Sequence, residues 1–176
     1  FSQLKMNNSG FDGYNTAKNS SLALSYKKGN AGYISFRNEN RTFGDGGIAT
    51  TLEDLVNWDQ TFYDPKFITA QILNLGKLDN GNILSYGMGI MTGQYKREPI
   101  QMHPGAFLGY RAEMLRFPKK HITIICLGNS EDINPETITR MIADAYIFND
   151  NGIEKNKEKY ISNSNIKPDL SILGKY

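Results

Sequence analysis

The chain has 176 residues, enough for one ordinary domain with a core of its own. Its 20 basic and 18 acidic residues give a formal charge of +2, so a nucleic acid partner is not expected. One cysteine and two histidines are too few for an internal disulfide or for a zinc or iron site, and neither a metal nor another cofactor is expected. The cysteine, Cys126, stands in an apolar run and is interpreted as an inert core thiol.

The first part of the chain predicts loops followed by two helices. Residues 1–43 show little apolar periodicity and are interpreted as long loops with at most short strands. Thr50 and Glu53 have capping-box spacing and predict a helix that stops at 64–65, followed by a short helix over 69–75. The apolar side chains expected to pack the first helix into the core are Leu52, Leu55, Val56, Trp58 and Phe62.

The middle of the chain predicts antiparallel strands. Residues 78–82 carry a tight-turn signal, and 86–90 are interpreted as a strand whose glycines allow a close backbone approach. Residues 100–103 and 107–117 are strand-like, and 121–127 are apolar on both faces, as in a central strand. Three antiparallel strands are therefore expected at the least.

A third helix is predicted after the strands, with Asn134 as its N-cap and Pro135 in its first turn. The side chains expected to face the sheet are Ile138, Met141, Ile142 and Ala145. The fold class is therefore α/β of the α+β type, an antiparallel sheet flanked by helices within a domain over 1–149. Residues 150–169 are interpreted as a polar linker, and 170–176 as the possible start of a following domain.

Several short motifs occur in an order that resembles a known family. They are Gly44–Thr51, Tyr86-Gly87-Met88-Gly89, His103-Pro104-Gly105, Phe117-Pro118 and Leu127-Gly128-Asn129. Each is weak alone, but in this order they resemble the C-terminal part of the serine β-lactamase and penicillin-binding protein family. The branch is that of class C β-lactamases, D-alanyl-D-alanine peptidases and related esterases. The resemblance implies a partial β-lactamase/transpeptidase-like domain.

The resemblance places the candidate site on one edge strand. His103 stands where the family has the lysine of Lys-Thr-Gly, and it brings an imidazole whose charge changes near neutral pH. Pro104 is tolerated at a sheet edge, and Gly105 lets a substrate backbone approach. The resemblance implies that the Ala106 N–H forms half of an oxyanion hole and that Asn129 binds a substrate carboxylate.

A structural interpretation of the same residues stays open beside the functional one. His103 is then a turn histidine followed by a bend and ordinary strand, and Asn129 is a turn residue. For His103 to Ala106 the ordered motifs favour the site, whereas for Asn129 the two interpretations are balanced.

The nucleophile that the family requires is not evident in the chain. Catalysis in the family uses a serine and a lysine one helical turn apart, together with a Tyr-x-Asn or Ser-x-Asn element. The chain contains neither Tyr-x-Asn nor Ser-x-Asn. Formal Ser-x-x-Lys matches, none of which opens an apolar helical pattern, occur at Ser2/Lys5, Ser25/Lys28 and Ser164/Lys167.

These absences predict an internal fragment of a longer serine acyl hydrolase of the bacterial cell envelope. The substrates implied are β-lactams, D-Ala-D-Ala peptides of the cell wall or esters, and the chain alone is expected to be inactive. The alternative is a relative without a nucleophile that serves as a binding or scaffolding module. An exposed sheet edge also predicts a homodimer.

Overall fold

The computed structural model describes residues 1–11, 22–36, 44, 46–64, 66–67 and 69–148. The chain divides into two compact units, Phe1–Thr139 and Arg140–Tyr176. The predicted linker and the predicted start of a following domain lie outside the described residues, so these domain limits stay predictions.

The described residues form six strands and three α-helices. The strands are β1 (Ser25–Gly29), β2 (Gly32–Phe36), β3 (Met91–Tyr95), β4 (Glu98–Phe107), β5 (Tyr110–Phe117) and β6 (Ile122–Gly128). The helices are α1 (Leu52–Gln60), α2 (Thr69–Ile72) and α3 (Pro135–Tyr146), and α3 runs from the first unit into the second. None of the helices within these described ranges is long and apolar enough to cross a membrane.

The strands form two antiparallel sheets. β1 and β2 make a hairpin, and β3, β4, β5 and β6 make a four-stranded sheet in chain order. Tight turns explain that order: Lys96 and Arg97 join β3 to β4 with φ of 47° and 69°, and Leu108 begins the β4–β5 turn with φ of 53°. Left-handed residues of this kind match the twist of a hairpin. The predicted α+β fold class with an antiparallel sheet is confirmed.

Helices contribute to both faces of the four-stranded sheet. Arg116 on β5 donates from Nε to Asp59 of α1 at 2.6 Å. Glu113, three residues earlier, lies on the opposite face because strand side chains alternate, and it accepts from the Thr139 hydroxyl of α3. Leu115 and Phe117 on β5 are buried. The sheet is therefore held by polar contacts on both of its faces.

Helix α1 begins one residue later than predicted. Thr51, not Thr50, is the N-cap, and its hydroxyl accepts from Asp54 N at 3.3 Å. The Thr50 hydroxyl instead shares a hydrogen bond of 2.7 Å with Ser9 Oγ. Asp54 Oδ2 accepts from both Asn8 N and Ser9 Oγ at 2.7 Å, so the start of α1 ties down the N-terminal segment.

The predicted core faces of two helices are partly wrong. Leu52 and Val56 are about half exposed, whereas Asp59, which was not expected in the core, is buried. In α3 the side chains of Ile138 and Ile142 are exposed. Periodicity counts apolar residues, so it does not identify the ion pair of α1 and the hydroxyl–carboxylate bond of α3 that also hold these helices to the sheet.

The strand predictions need three corrections. Residues 86–90 are irregular apart from a Tyr86–Met91 bridge, and the strand begins at Met91. The predicted strand over 107–117 is interrupted by the two-residue turn before Tyr110. β6 lies at an edge of the four-stranded sheet, not at its centre. The close approach expected at the glycines is present at Gly87, where a Cβ would collide with the Ile72 backbone oxygen, but not at Gly89, where a Cβ would meet nothing within 4 Å.

Candidate functional site

The His103–Phe107 half of β4 has an open side. The register pairs Met91 at the start of β3 with Met102, so β3 does not extend past Met102. β5 continues to pair with β4 as far as Phe107. Among the described residues, no strand therefore pairs with this half of β4 on the side away from β5. The edge position predicted for His103-Pro104-Gly105 holds for this half of the strand alone.

The Ala106 N–H is directed to that open side. Phe107 and Tyr110 flank a two-residue turn, and such a flanking pair exchanges both ladder hydrogen bonds. The next pair, Ala106 with Arg111, is then a non-hydrogen-bonded pair, whose N–H groups point away from each other's strand. Ala106 is also exposed. The N–H is thus available to an acceptor lying along the open side.

His103 is held by two hydrogen bonds. Its Nδ1 lies 2.7 Å from the Pro104 carbonyl oxygen, which only accepts, so Nδ1 carries the proton. The other nitrogen, Nε2, lies 3.0 Å from the Tyr86 hydroxyl, and in the neutral ring it accepts from that hydroxyl. The two rings meet edge to face, with centroids 5.9 Å apart.

Tyr86 is a site residue that the sequence did not single out. In the sequence Tyr86 is only part of a strand motif, and no local signal marks its hydroxyl as the partner of an imidazole 17 residues later. The pair has a defined chemistry: His103 Nε2 can take a proton from Tyr86 while Nδ1–H keeps its bond to the Pro104 carbonyl. The imidazole is exposed, and His103 belongs to the same half of β4 as Ala106, beyond the last residue that pairs with β3.

Asn129 lies at the same end of the sheet but two strands away from Ala106. The resemblance places Asn129 at the end of the strand next to β4, but β5 stands between β4 and β6, and Asn129 follows β6. Two strand spacings amount to about 10 Å, which a single small carboxylate does not span. The Asn129 side-chain amide donates to Leu24 O at 3.0 Å, and its backbone oxygen accepts from Tyr26 N at 2.8 Å. These contacts fix the segment that enters β1.

The Ser-x-x-Lys matches do not form the family's helical pair where they are described. Ser25 and Lys28 lie on β1, where residues three apart point to opposite faces. Ser2 lies in a single 3-10 turn. Ser164 lies outside the described residues.

Cys126 does not have the features of a reactive thiol. Burial, and then the nearby Glu113 carboxylate, raise the pKa of Cys126 above its ordinary value. Within the described ranges, no three His, Cys, Asp or Glu side chains are grouped to hold a metal ion.

Known proteins resemble this chain over part of its length. The chain is 30% identical over 94 residues to a penicillin-binding protein of Bacillus subtilis. The matched region covers 51% of this chain and 21% of that protein. It is 25% identical over 104 residues to a D-aminopeptidase of Brucella anthropi, and this match covers 57% of this chain and 20% of that protein. No protein-family model matches the chain.

The fold resembles a solved structure over most of the chain. The octameric penicillin-binding protein homologue from Pyrococcus abyssi superposes with a TM-score of 0.68 at 21% identity, covering 81% of this chain and 34% of that one. The chain spans about a fifth of the length of the curated relatives that it matches. Sequence and fold agree: over part of their length, the chain resembles proteins of the serine β-lactamase and penicillin-binding protein family.

Proposed function

We propose that the chain supplies the oxyanion-hole strand and the adjoining site wall of a serine acyl hydrolase. The substrates would be β-lactams, D-Ala-D-Ala peptides or esters, and the hydrolase would be a longer protein of the bacterial cell envelope. The observation that carries the proposal is the open side of β4, to which Ala106 directs an N–H beside the exposed His103. Similarity to a penicillin-binding protein and a D-aminopeptidase supports the same reaction class.

Each residue of the strand has a role in this proposal. The Ala106 N–H stabilises the oxygen that becomes negative in the tetrahedral intermediate of acyl transfer. Gly105 leaves room for the substrate backbone along the strand. Tyr86 and His103 form a proton-transfer pair at the same place, where the family has a permanently charged lysine. Asn129 supports the end of the sheet and binds a carboxylate only of an extended substrate.

The first experiment treats the 176-residue chain with a fluorescent penicillin and with an activated ester. No covalent adduct is expected, because neither Ser2 nor Ser25 lies in the family's helical serine–lysine arrangement. A labelled serine within these residues would overturn the proposal. The same probes are then applied to the product of the complete gene, where labelling is expected; its absence would favour a module without a nucleophile.

The second experiment removes the Ala106 N–H from the complete gene product. Ala106→Pro deletes the N–H and is tolerated at an unpaired strand edge, whereas Ala106→Gly keeps the N–H and serves as the matched control. We expect the proline variant to lose roughly 100- to 1000-fold in acylation rate and the glycine variant to stay near the parent rate. Equal rates for the two variants would remove Ala106 from the oxyanion hole.

A further inference from the structure

A largely apolar cavity of about 160 Å³ opens beside His103. Exposed His103 and Met88 lie on its outer side, and buried Ile90 and Arg116 lie deeper. The other apolar side chains that line it are Leu55, Trp58, Ile72, Met102 and Met114. A cavity of about 150 Å³ with such a lining holds a ligand the size of benzene.

Arg116 lines the cavity and carries a buried hydrogen-bond donor for which the described residues supply no partner. The side chain is 1% exposed; Nε donates to Asp59 at 2.6 Å, and Nη1 donates to the Gln101 side-chain oxygen. Within the part of the chain that the structure describes, Nη2 is buried and has no hydrogen-bond partner. A buried donor left unpaired is costly, and more so when it is charged, so an acceptor is favoured at this position.

The charge around Arg116 selects the kind of acceptor. The Asp59 carboxylate is already paired with the guanidinium, so the pair carries no net charge. A second carboxylate brought to Nη2 would meet the Asp59 charge at short range in a medium of low polarity, which is unfavourable. A neutral carbonyl oxygen satisfies the donor without that repulsion.

We propose that this cavity binds a small, uncharged, apolar molecule with one carbonyl oxygen, which accepts a hydrogen bond from Arg116 Nη2. The apolar part, a six-membered ring or a branched chain of similar volume, lies among the methionines and Trp58. The inference concerns binding and does not depend on an oxyanion-hole role for Ala106. Its competitor is a trapped water, since the nearby Tyr63 hydroxyl is also a buried group without a partner among the described residues.

The methionines of the chain provide a located readout. Met88, Met102 and Met114 line the cavity, whereas Met6 does not. The intact 176-residue chain, labelled with 13C at the methionine methyl groups, is titrated with acetophenone, with ethylbenzene, which has a similar shape without the oxygen, and with benzoate. We expect acetophenone to shift the three cavity methyl signals and to leave Met6 unchanged.

The ranking of affinities tests the hydrogen bond on the unmodified protein. Acetophenone should bind about tenfold more tightly than ethylbenzene, the gain of one hydrogen bond to a charged donor, and more tightly than benzoate. Equal affinities for acetophenone and ethylbenzene would mean that water keeps Nη2, and they would overturn the proposal. So would tighter binding of benzoate, shifts only outside the cavity, or no shift.

Two arginine variants locate the donor. Arg116→Met should abolish the tenfold preference, and Arg111→Met, on the same strand but outside the cavity lining, should retain it. Persistence of the preference in Arg116→Met would overturn the assignment of Nη2. Arg116→Met leaves the Asp59 carboxylate buried without its partner, and the variant can therefore fail to fold. In that case the ligand ranking on the unmodified chain decides.

Discussion

Asp59 and Arg116 join α1 to the sheet through a buried ion pair. Asp59 Oδ1 accepts from Arg116 Nε at 2.6 Å and from the Thr123 hydroxyl at 2.8 Å. The guanidinium carbon also lies 3.8 Å from the centroid of the Phe62 ring. A paired buried charge contributes little net stability, but removing one partner leaves the other uncompensated. The helix is therefore sensitive to changes at Asp59.

We expect Asp59→Ala to lower the free energy of unfolding by about 3–5 kcal/mol, because Arg116 then remains charged and buried without its counterion. The measurement is urea denaturation of the whole chain. Thr123→Val is the matched control: it removes one hydrogen bond to the same carboxylate and should cost only about 1–2 kcal/mol. A loss in Asp59→Ala no greater than in the control would show that the carboxylate does not compensate Arg116.

The Asp59–Arg116 pair also shows what the sequence did not predict at the level of residues. The partners are 57 positions apart, and neither belongs to an apolar repeat. Hydrophobic periodicity therefore assigned the buried face of α1 to Leu52 and Val56 along with Leu55. The sequence also does not predict the Tyr86–His103 contact, because its geometry depends on the irregular segment between Tyr86 and β3. His103 and Ala106 are predicted as site residues because a motif marks their strand.

At the scale of elements, cap and turn residues predicted where helices and turns lie, whereas the sequence did not predict which strands are neighbours in the sheet. The Asn134 side chain accepts from Thr137 N at 3.0 Å, as its predicted N-cap role requires. Gly81 N donates to Leu78 O at 2.8 Å in the predicted turn. β6, however, is apolar on both faces and yet lies at an edge. Apolar residues on both sides of a strand indicate that other elements pack on both faces of the sheet. They do not indicate whether the strand has a hydrogen-bonded neighbour on each edge.

The β1–β2 hairpin is tied to the chain after β6 by a pH-sensitive contact. The Tyr33 hydroxyl donates to Asp132 Oδ2 at 2.6 Å. Hydrogen bonds from Ser130 and then Tyr33 lower the pKa of Asp132, and the bond to Asp132 raises the pKa of Tyr33. A lowered carboxyl pKa stabilises the fold above its unfolded value of 3.8 and loses that effect as the pH falls through the folded value.

We expect Tyr33→Phe to lower the thermal midpoint of the chain at pH 7 by an amount that shrinks as the pH falls below 3.8 and through the lowered pKa of Asp132, because the carboxyl is then protonated in the folded state as well. The raised Tyr33 pKa has the opposite sign: its contribution is complete below pH 10.0 and is lost at higher pH. Tyr26→Phe on β1 is the control and should show no such pH dependence. A Tyr33→Phe deficit that stays constant as the pH falls from 7 through the lowered pKa of Asp132 would exclude this contact as its cause.

At the scale of the whole molecule, the four-stranded sheet has an unprotected edge. β6 pairs with β5 on one side, and among the described residues no strand pairs with it along Ile122–Gly128 on the other. Ile122 and Leu127 on this strand are exposed. An edge that presents unpaired backbone groups together with apolar side chains invites pairing with another chain.

We expect two copies of the 176-residue chain to pair through β6, because antiparallel pairing along this edge satisfies the backbone groups of both copies at once. Sedimentation equilibrium should show a monomer–dimer exchange. Leu127→Lys places a charge on the edge and should weaken the dimer at least tenfold, whereas Ile83→Lys, at a strongly exposed position outside the four-stranded sheet, should leave it unchanged. Equal weakening by both lysines would indicate general charge repulsion instead of edge pairing, and a monomer at all concentrations would show that the β6 edge stays unpaired.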